Sequence, residues 1–201
     1  SSHRKHASTY GIAKYIPGYI GFRVQEELEM LDKYILNAEH PFTVVMGGAK
    51  LEDKIKVIEK LLPLCDHLLL TGGIANTFLK ALNINIGFSL CSNDEELIEK
   101  IKQILLQYRS KIVLPFDAIV GSSYDKEYTS LKMINKLDDN EIIYDLGHKT
   151  IEKYSIYLNE SQTVFINGTA GKYEDPRYAN GTKEILAALN YSGANVIVGG
   201  G

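Results

Sequence analysis

Short runs of apolar residues alternate along the chain with longer segments in which apolar residues recur at helical spacing. None of the short runs shows the apolar–polar alternation of a half-exposed strand. Runs that are apolar throughout are typical of parallel strands covered on both faces. We therefore predict strands at Phe42–Met46, His67–Leu70, Ile112–Leu114, Ala118–Val120, Thr163–Ile166 and Asn195–Val198.

The segments between these runs carry the apolar period of amphipathic helices. Helices are predicted over Phe22–Leu36, Ile55–Leu62, Leu97–Leu105, Ile151–Tyr157 and Thr182–Leu189. The repeated order of strand, glycine turn and helix predicts an α/β fold, a Rossmann-like doubly wound parallel sheet with helices on both faces. Residues 122–141 are polar and poor in strand formers, so we expect a surface excursion there. The first twenty residues fit no such unit and look like the tail of a preceding domain.

The composition narrows the class of protein only modestly. The 201 residues are 45% hydrophobic and 23% charged, which excludes general disorder, and the net charge of −3 argues against a general nucleic-acid binder. No apolar run is long enough for a membrane span or a secretory segment, so we expect neither. Cys65 and Cys91 match no zinc or disulfide pattern and are expected to be reduced thiols in a cytoplasmic protein. A start without methionine and an end on three glycines predict a piece of a longer protein.

Glycines follow four of the predicted strands, at the sheet edge where α/β proteins bind their ligands. Glycines let the backbone approach a ligand closely, and the amides of a helix start attract anions. Lys50 and Lys54 are four residues apart, so we expect both on one helix face, directed at the same phosphate chain. The alternative is that the glycines only make tight turns and the lysines are solvated. Four such turns at one edge favour a phosphate site, although neither the P-loop nor the dinucleotide glycine fingerprint is present.

Several collinear motifs resemble those of a known family. They are Gly47-Gly48-Ala49-Lys50-x-x-Asp53-Lys54, the segment from Thr71 to Lys80, Leu114-Pro115-x-Asp117, the segment from Asn167 to Glu174, Gly181-Thr182-Lys183, and the closing glycines. Together with His3-Arg4-x-His6 near the start, they are similar in order and spacing to the motifs of phosphoglycerate kinase. The matches cover essentially the whole chain.

This resemblance implies parts of two domains of a two-domain kinase. Residues 1–21 would be the tail of the N-terminal, 3-phosphoglycerate-binding domain, residues 22–38 the interdomain helix, and residues 39–201 a nucleotide-binding domain truncated at its C-terminus. The implied activity is the reversible phosphoryl transfer between 1,3-bisphosphoglycerate and ADP, giving 3-phosphoglycerate and ATP in glycolysis. The resemblance also implies a cytoplasmic monomer with no nucleic-acid or membrane partner, whose 201 residues alone are inactive. The alternative is a non-catalytic nucleotide- or phosphate-binding module from a diverged or incomplete kinase.

The resemblance also implies roles for individual residues. Arg4, together with His3, would bind 3-phosphoglycerate, and Lys50 would steady the phosphoryl group during its transfer. Lys54 and Asn167 would contact nucleotide phosphates, whereas Glu174 would bind the ribose. Magnesium would arrive with ATP or ADP, and its protein ligand would lie beyond the last residue. The full implied nucleotide-binding set is Gly48, Ala49, Asp53, Lys54, Gly72, Gly73, Ile143, Asn167, Gly168, Tyr173, Glu174, Gly200 and Gly201.

The sequence departs from the family pattern around the expected adenine position. Lys172 stands where a hydrophobic residue usually faces the adenine, and Ile143 and Tyr144 stand where a glycine and a leucine are usual. Ile166 and Thr169 replace a tryptophan and a proline of the same loop. The motifs expected to bind phosphates depart less from the family pattern than the motifs expected to face the base.

Asp117 and the N-terminal histidines allow more than one interpretation. Asp117 follows Pro115 at a strand end, where it is equally suited to capping a helix or turn and to binding a ligand. His3 and His6 lack a third metal ligand nearby, so we favour a basic cluster that faces an anion.

Overall fold

The computed structural model of the chain describes residues 6–49, 51–52 and 54–199. The chain divides into two compact units, Ser1–Asn37 and Ala38–Gly201. No helix in the described part of the chain is both long and apolar enough to cross a membrane.

The first unit is helical. A π-helix (Ala7–Gly11) and a 3-10 turn (Ile12–Lys14) precede helix α1 (Phe22–Leu31). The backbone then continues as a π-helical turn over Asp32–Leu36. The predicted helix over Phe22–Leu36 is confirmed, with a change of helix type in its last turn.

The second unit is organised around a five-stranded parallel sheet. In chain order its strands are β1 (Phe42–Met46), β2 (His67–Leu70), β3 (Ile112–Val113), β7 (Thr163–Asn167) and β8 (Asn195–Gly199). Their order across the sheet is β3-β2-β1-β7-β8. The chain therefore first adds β2 and β3 on one side of β1 and later adds β7 and β8 on the other side. Such a reversal creates a crevice at the carboxyl ends of the two central strands, here β1 and β7.

Both faces of the central strands are covered, as their apolar sequences predict. Val45, Leu69 and Val164 pack against residues of helices α5 (His148–Glu160) and α6 (Asn180–Ser192). On the other face Val44 and Leu68 are fully buried. The edge strand β8 differs, because Val198 is 70% exposed, so the expectation of covered faces is wrong for this strand.

Three further helices complete the alternation of strands and helices. They are α2 (Ile55–Leu61), α3 (Gly72–Ala81) and α4 (Glu95–Tyr108). Asp94 caps α4 by accepting hydrogen bonds from the backbone amides of Glu96 and Leu97, as Ser and Asp residues at this position predict. Helix α3 was not predicted from the sequence, and eight of its residues are buried. The predicted α/β fold is confirmed.

A second, antiparallel sheet corrects two expectations. It has the order β5-β4-β6, formed by β4 (Asp117–Ser122), β5 (Thr129–Met133) and β6 (Glu141–Leu146). The run Ala118–Val120 was expected in the parallel sheet, and it is apolar because it is the centre of this smaller sheet and packs against Leu79 and Ile86. Residues 122–141 are more than a surface excursion, since they contain β5, whose exposed and half-buried residues alternate.

Candidate functional site

The carboxyl ends of β1, β2 and β7 meet through their backbones. We call the segments that follow them, residues 47–49, 71–73 and 167–171, the glycine loops. The amide of Gly47 donates a hydrogen bond to the carbonyl oxygen of Asn167 at 2.8 Å. A Cβ atom added to Gly47 would lie 2.3 Å from the carbonyl oxygen of Thr169, and one added to Gly73 would lie 2.9 Å from that of Ala49. Glycine is therefore required because no side chain fits between these loops.

Lys54 reaches across two of the glycine loops. Its Nζ donates to the carbonyl oxygen of Gly47 at 2.6 Å. Cβ atoms added to Gly48 and Gly168 would lie 3.1 and 3.0 Å from the same Nζ, and both glycines have positive φ angles, 106° and 87°. Half-burial lowers the pKa of Lys54 by desolvation of its ammonium group. Within the described residues no carboxylate forms an ion pair with it, so its charge faces bare backbone.

Lys54 is not on the helix that the sequence predicts for it. Helix α2 begins at Ile55, and the backbone before it is a turn in which the amide of Lys54 donates to the carbonyl oxygen of Leu51 at 2.8 Å. The expectation that Lys50 and Lys54 share a helix face is therefore wrong for Lys54. The turn instead lets its side chain fold back over the loop that follows β1.

A cleft of about 360 Å³ lies between the glycine loops and strand β6. Six residues of the predicted nucleotide set line it: Gly48, Ala49, Gly72, Gly73, Ile143 and Glu174. Lys54 adjoins Gly48 and Gly168 at the edge of the glycine loops, and Asn167 ends β7 beside Gly199. Tyr173 is half exposed and does not line the cleft. The structure thus brings most of the described members of this set to one place.

The other predicted site residues lie outside the described residues. These are His3, Arg4, Lys50, Asp53, Gly200 and Gly201. His6, which is described, is exposed. Within the described residues no group of three His, Cys, Asp or Glu side chains is placed to hold a metal ion.

One wall of the cleft consists of side chains rather than backbone. We call this wall, formed by Ile142–Leu146 of β6 together with Lys172, the β6 wall. The Nζ of Lys172 lies 5.2 Å from the centre of the Tyr144 ring, and the amide of Lys172 donates to the Tyr144 carbonyl at 2.8 Å. The Tyr144 ring also packs on Tyr178, with ring centres 4.6 Å apart. The sequence marked Lys172 and Tyr144 as departures from the family pattern, and the structure places them in contact.

Asp145 of the β6 wall holds the loop behind Lys172. It accepts hydrogen bonds from the amides of Gly181 at 2.8 Å and Leu146 at 2.9 Å. A Cβ atom on Gly171 or Gly181 would lie 2.4 or 2.3 Å from its Oδ1. Burial raises the pKa of Asp145, and the amide donors partly oppose that shift. Sequence reasoning missed this residue, because a single aspartate after an apolar pair carries no motif.

Asp117 caps helix α5 across the fold. Its carboxylate accepts hydrogen bonds from the amides of Lys149 at 3.1 Å and Thr150 at 2.8 Å, and from the Thr150 hydroxyl at 2.5 Å. Further along α5, the Tyr154 hydroxyl donates to the carbonyl oxygen of Leu70 at 2.7 Å. Of the two roles open to Asp117, the structure shows the cap. Helix α5 is thereby bonded to β4 of the antiparallel sheet and to the end of β2 of the parallel sheet.

A parallel sheet with glycine loops and a lysine at its switch point is typical of α/β domains that bind phosphorylated ligands. The phosphoglycerate kinase family profile matches residues 1–201. The phosphoglycerate kinases of Corynebacterium kroppenstedtii and Lactobacillus delbrueckii subsp. bulgaricus are each 40% identical to the chain, over 204 and 207 residues. These alignments cover 99% and 100% of this chain, but 50% and 51% of those proteins. The chain therefore belongs to the phosphoglycerate kinase family.

Solved structures agree with this assignment. Phosphoglycerate kinase from Coxiella burnetii matches with a TM-score of 0.87 at 35% identity, over 100% of this chain and 52% of that one. Phosphoglycerate kinase from Pyrococcus horikoshii matches with a TM-score of 0.82 at 28% identity, over 100% of this chain and 51% of that one. The chain spans about half the length of the relatives it matches.

Proposed function

We propose that the protein to which this chain belongs transfers a phosphoryl group between 1,3-bisphosphoglycerate and ADP, as a phosphotransferase with a carboxyl group as acceptor in the reverse direction. Family membership supports this activity, which would serve glycolysis in the cytoplasm of the cell and need no subunit partner. The structural observation that carries the proposal is the convergence of Lys54, Gly48 and Gly168 at the switch point. An ammonium group beside exposed backbone is suited to binding a chain of phosphates. Phosphoryl transfer depends on positioning these groups and neutralising their charge.

The proposed contribution of this chain is the nucleotide side of the reaction. Phosphates would lie against the glycine loops, where Lys54 neutralises charge and Asn167 and the backbone amides donate hydrogen bonds. The base would lie along the β6 wall near Ile143, and the ribose near Glu174, with Tyr173 at the entrance. Asp53 and the glycines at 200 and 201, by their resemblance to the family motifs, would complete the phosphate contacts.

The acceptor side of the reaction is proposed from sequence motifs alone. Arg4 and His3 would bind 3-phosphoglycerate at the end of the N-terminal domain (residues 1–21), with residues 22–38 linking it to the nucleotide domain (39–201). Lys50 would stabilise the phosphoryl group as it moves between the two substrates. Because the chain spans half of its relatives' length, we expect the 201 residues alone to be inactive.

Magnesium would be supplied with the nucleotide and would neutralise phosphate charge. The described residues that face the cleft do not form a site for it. Asp145 is buried and already accepts two backbone hydrogen bonds, and no group of three potential ligands is present in the described part of the chain. In this proposal the protein ligand of the metal lies beyond Gly201, and no step is assigned to described residues through it.

The test is a coupled assay of the full-length parent with ADP and 1,3-bisphosphoglycerate, beside the 201-residue chain at equal concentration. Turnover by the parent, with at least about tenfold less by the shorter chain, is the expected result. A parent that binds ADP but forms no ATP would support the non-catalytic alternative. A parent that does neither would overturn both.

A further inference from the structure

We propose that Lys172 selects the purine base, by donating a hydrogen bond to the 6-oxo group of guanine or hypoxanthine that adenine lacks. This inference rests on the proposed function, since it requires a nucleoside diphosphate in the cleft. It concerns a residue at which the chain departs from its family pattern, and it predicts a change in substrate preference.

Lys172 lies in a wall that the cleft shares with a second cavity. Lys172 and Tyr144 line the 360 Å³ cleft and also a second cavity of about 320 Å³. The glycine loops do not line that second cavity. The wall shared by the two cavities adjoins the Gly171 end of the glycine loops, whereas Lys54 contacts the loops at their other end, beside Gly47 and Gly168. With phosphates at Lys54, the Gly171 end is the end left for the base.

Packing against the Tyr144 ring supports the position of Lys172. Its ammonium group lies over the Tyr144 ring at a distance typical of cation–π contacts. The ring is held in turn by Tyr178 and by Gly121, where an added Cβ would lie 2.6 Å from the Tyr144 Cε2 atom. Since Lys172 and Tyr178 both contact the ring, the Tyr144 ring helps to position the ammonium group in the wall of the cleft.

The ammonium group of Lys172 forms no ion pair with a carboxylate of the described residues. The nearby carboxylate of Asp175 is bound by Arg177, whose Nη2 lies 2.7 Å away. That ion pair lowers the pKa of Asp175 to about 2, and the charge of Lys172 makes the smallest contribution to the same shift. The donors of Lys172 thus stay available to a ligand.

The chemistry of the bases then gives the direction of the preference. A lysine has three donors and no acceptor. Guanine and hypoxanthine present two acceptors, N7 and O6, along one edge, whereas adenine presents the N7 acceptor beside an amino donor. Lys172 can therefore bond the 6-oxopurines at two atoms, but it meets a like donor on adenine. Ile142 and Ile143 of the β6 wall are apolar, so their side chains offer no polar group that competes with Lys172.

The experiment measures kcat/KM of the full-length parent for ADP, GDP and IDP, and their dissociation constants by calorimetry without a second substrate. IDP carries the 6-oxo group without the 2-amino group of guanine, so it isolates the proposed contact. We expect Lys172→Met to lower the IDP:ADP ratio about tenfold, the effect of one charge-assisted hydrogen bond. Lys172→Arg, which keeps the donors, should retain the wild-type preference.

Two further variants test whether position or charge is responsible. Lys126→Met removes the same charge from the second cavity without touching the cleft, and it should leave the ratio as in the wild type. Tyr144→Leu removes the ring beneath Lys172 and should lower the ratio, whereas Tyr144→Phe should retain it. These comparisons use ratios, so a general loss of phosphate affinity cancels.

An unchanged IDP:ADP ratio in Lys172→Met, or an equal change in Lys126→Met, would overturn the inference. A wild-type parent that binds these nucleotides without turnover would contradict the proposed catalytic function only. The calorimetric ratios would then still decide the role of Lys172.

Discussion

The two walls of the cleft are built from different parts of the chain. The glycine loops present backbone, and an added methyl group at Gly47 or Gly168 would lie 2.3 to 2.5 Å from a carbonyl oxygen. The β6 wall presents side chains: Tyr144 and Lys172 replace residues usual in the family, and β6 pairs with β4 on both sides of an irregularity that skips Tyr144. A surface made of backbone binds the same chemical group whatever the neighbouring side chains are. In a surface made of side chains, substitutions can change which ligand is preferred without changing the fold.

The largest expected effect is at the glycine-loop side. We predict that Lys50→Ala in the full-length parent lowers kcat by roughly 10²-fold or more, by analogy with the loss of one oxyanion donor. Charge on the transferring group is greatest in the transition state, so KM for the nucleotide should change less. Steady-state kinetics measures both, with Lys56→Ala, on the exposed face of α2, as the control for loss of charge. A rise in KM with kcat intact would contradict the role of Lys50.

The next effect tests the backbone surface directly. Gly168→Ala forces a side chain into a position with φ of 87° and 2.5 Å from the Gly47 carbonyl oxygen. We expect it to raise the KM for ADP about tenfold or more and to lower the free energy of unfolding by about 1–3 kcal/mol.

Gly193→Ala is the matched control for this prediction. Gly193 also has a positive φ of 68°, but an added Cβ meets nothing within 4 Å. It should lower the free energy of unfolding by about 1 kcal/mol, measured by urea denaturation, with the KM of the wild type. Equal effects on KM from both variants would show that strain, and not the loop contact, matters.

A smaller effect is expected where the nucleotide meets a side chain. Glu174→Ala should raise the KM for ADP by about tenfold with little change in kcat, because a ribose contact is made equally in the ground and transition states. Glu160→Ala is the control, since Glu160 ends α5 just before β7, at the opposite edge of the sheet. A loss confined to kcat would argue against ribose binding by Glu174.

The smallest effect is a pH dependence at Lys54. Its pKa is lowered from the ordinary 10.5 by desolvation, so ADP affinity should decline with rising pH earlier than an exposed lysine would allow. In the same window the unfolded chain binds more protons than the folded one, so the free energy of unfolding should rise with pH. Titrations of ADP binding between pH 8 and pH 11 should show the decline in the wild type and lose it in Lys54→Arg. A decline that persists in Lys54→Arg would assign it to another group.

The sequence predicted the parallel sheet because strands β1, β2 and β7 are mostly apolar, without apolar–polar alternation, and are followed closely by glycines. It predicted the phosphate side of the cleft for the same reason, since glycines at strand ends are local signals. The antiparallel sheet escaped prediction because β5 and β6 mix polar and apolar residues. The buried Glu141 pairs with Lys132 and also accepts hydrogen bonds from the Tyr128 hydroxyl and the Asp138 amide. The contact between Lys172 and Tyr144 joins residues far apart in the chain, which no local pattern reports.

Helix α5 determines how far apart the two walls of the cleft can move. Its first turn is bonded to β4 through Asp117, and Tyr154 bonds it to the end of β2. Because α5 is hydrogen-bonded at both places, it holds the cleft at the same width before any ligand binds. The conformational entropy of aligning the two walls is then lost when the domain folds. Ligand binding does not have to pay for it again, so it does not weaken the affinity. A ligand of this domain should consequently bind with a small heat-capacity change and little change in amide hydrogen exchange across α5.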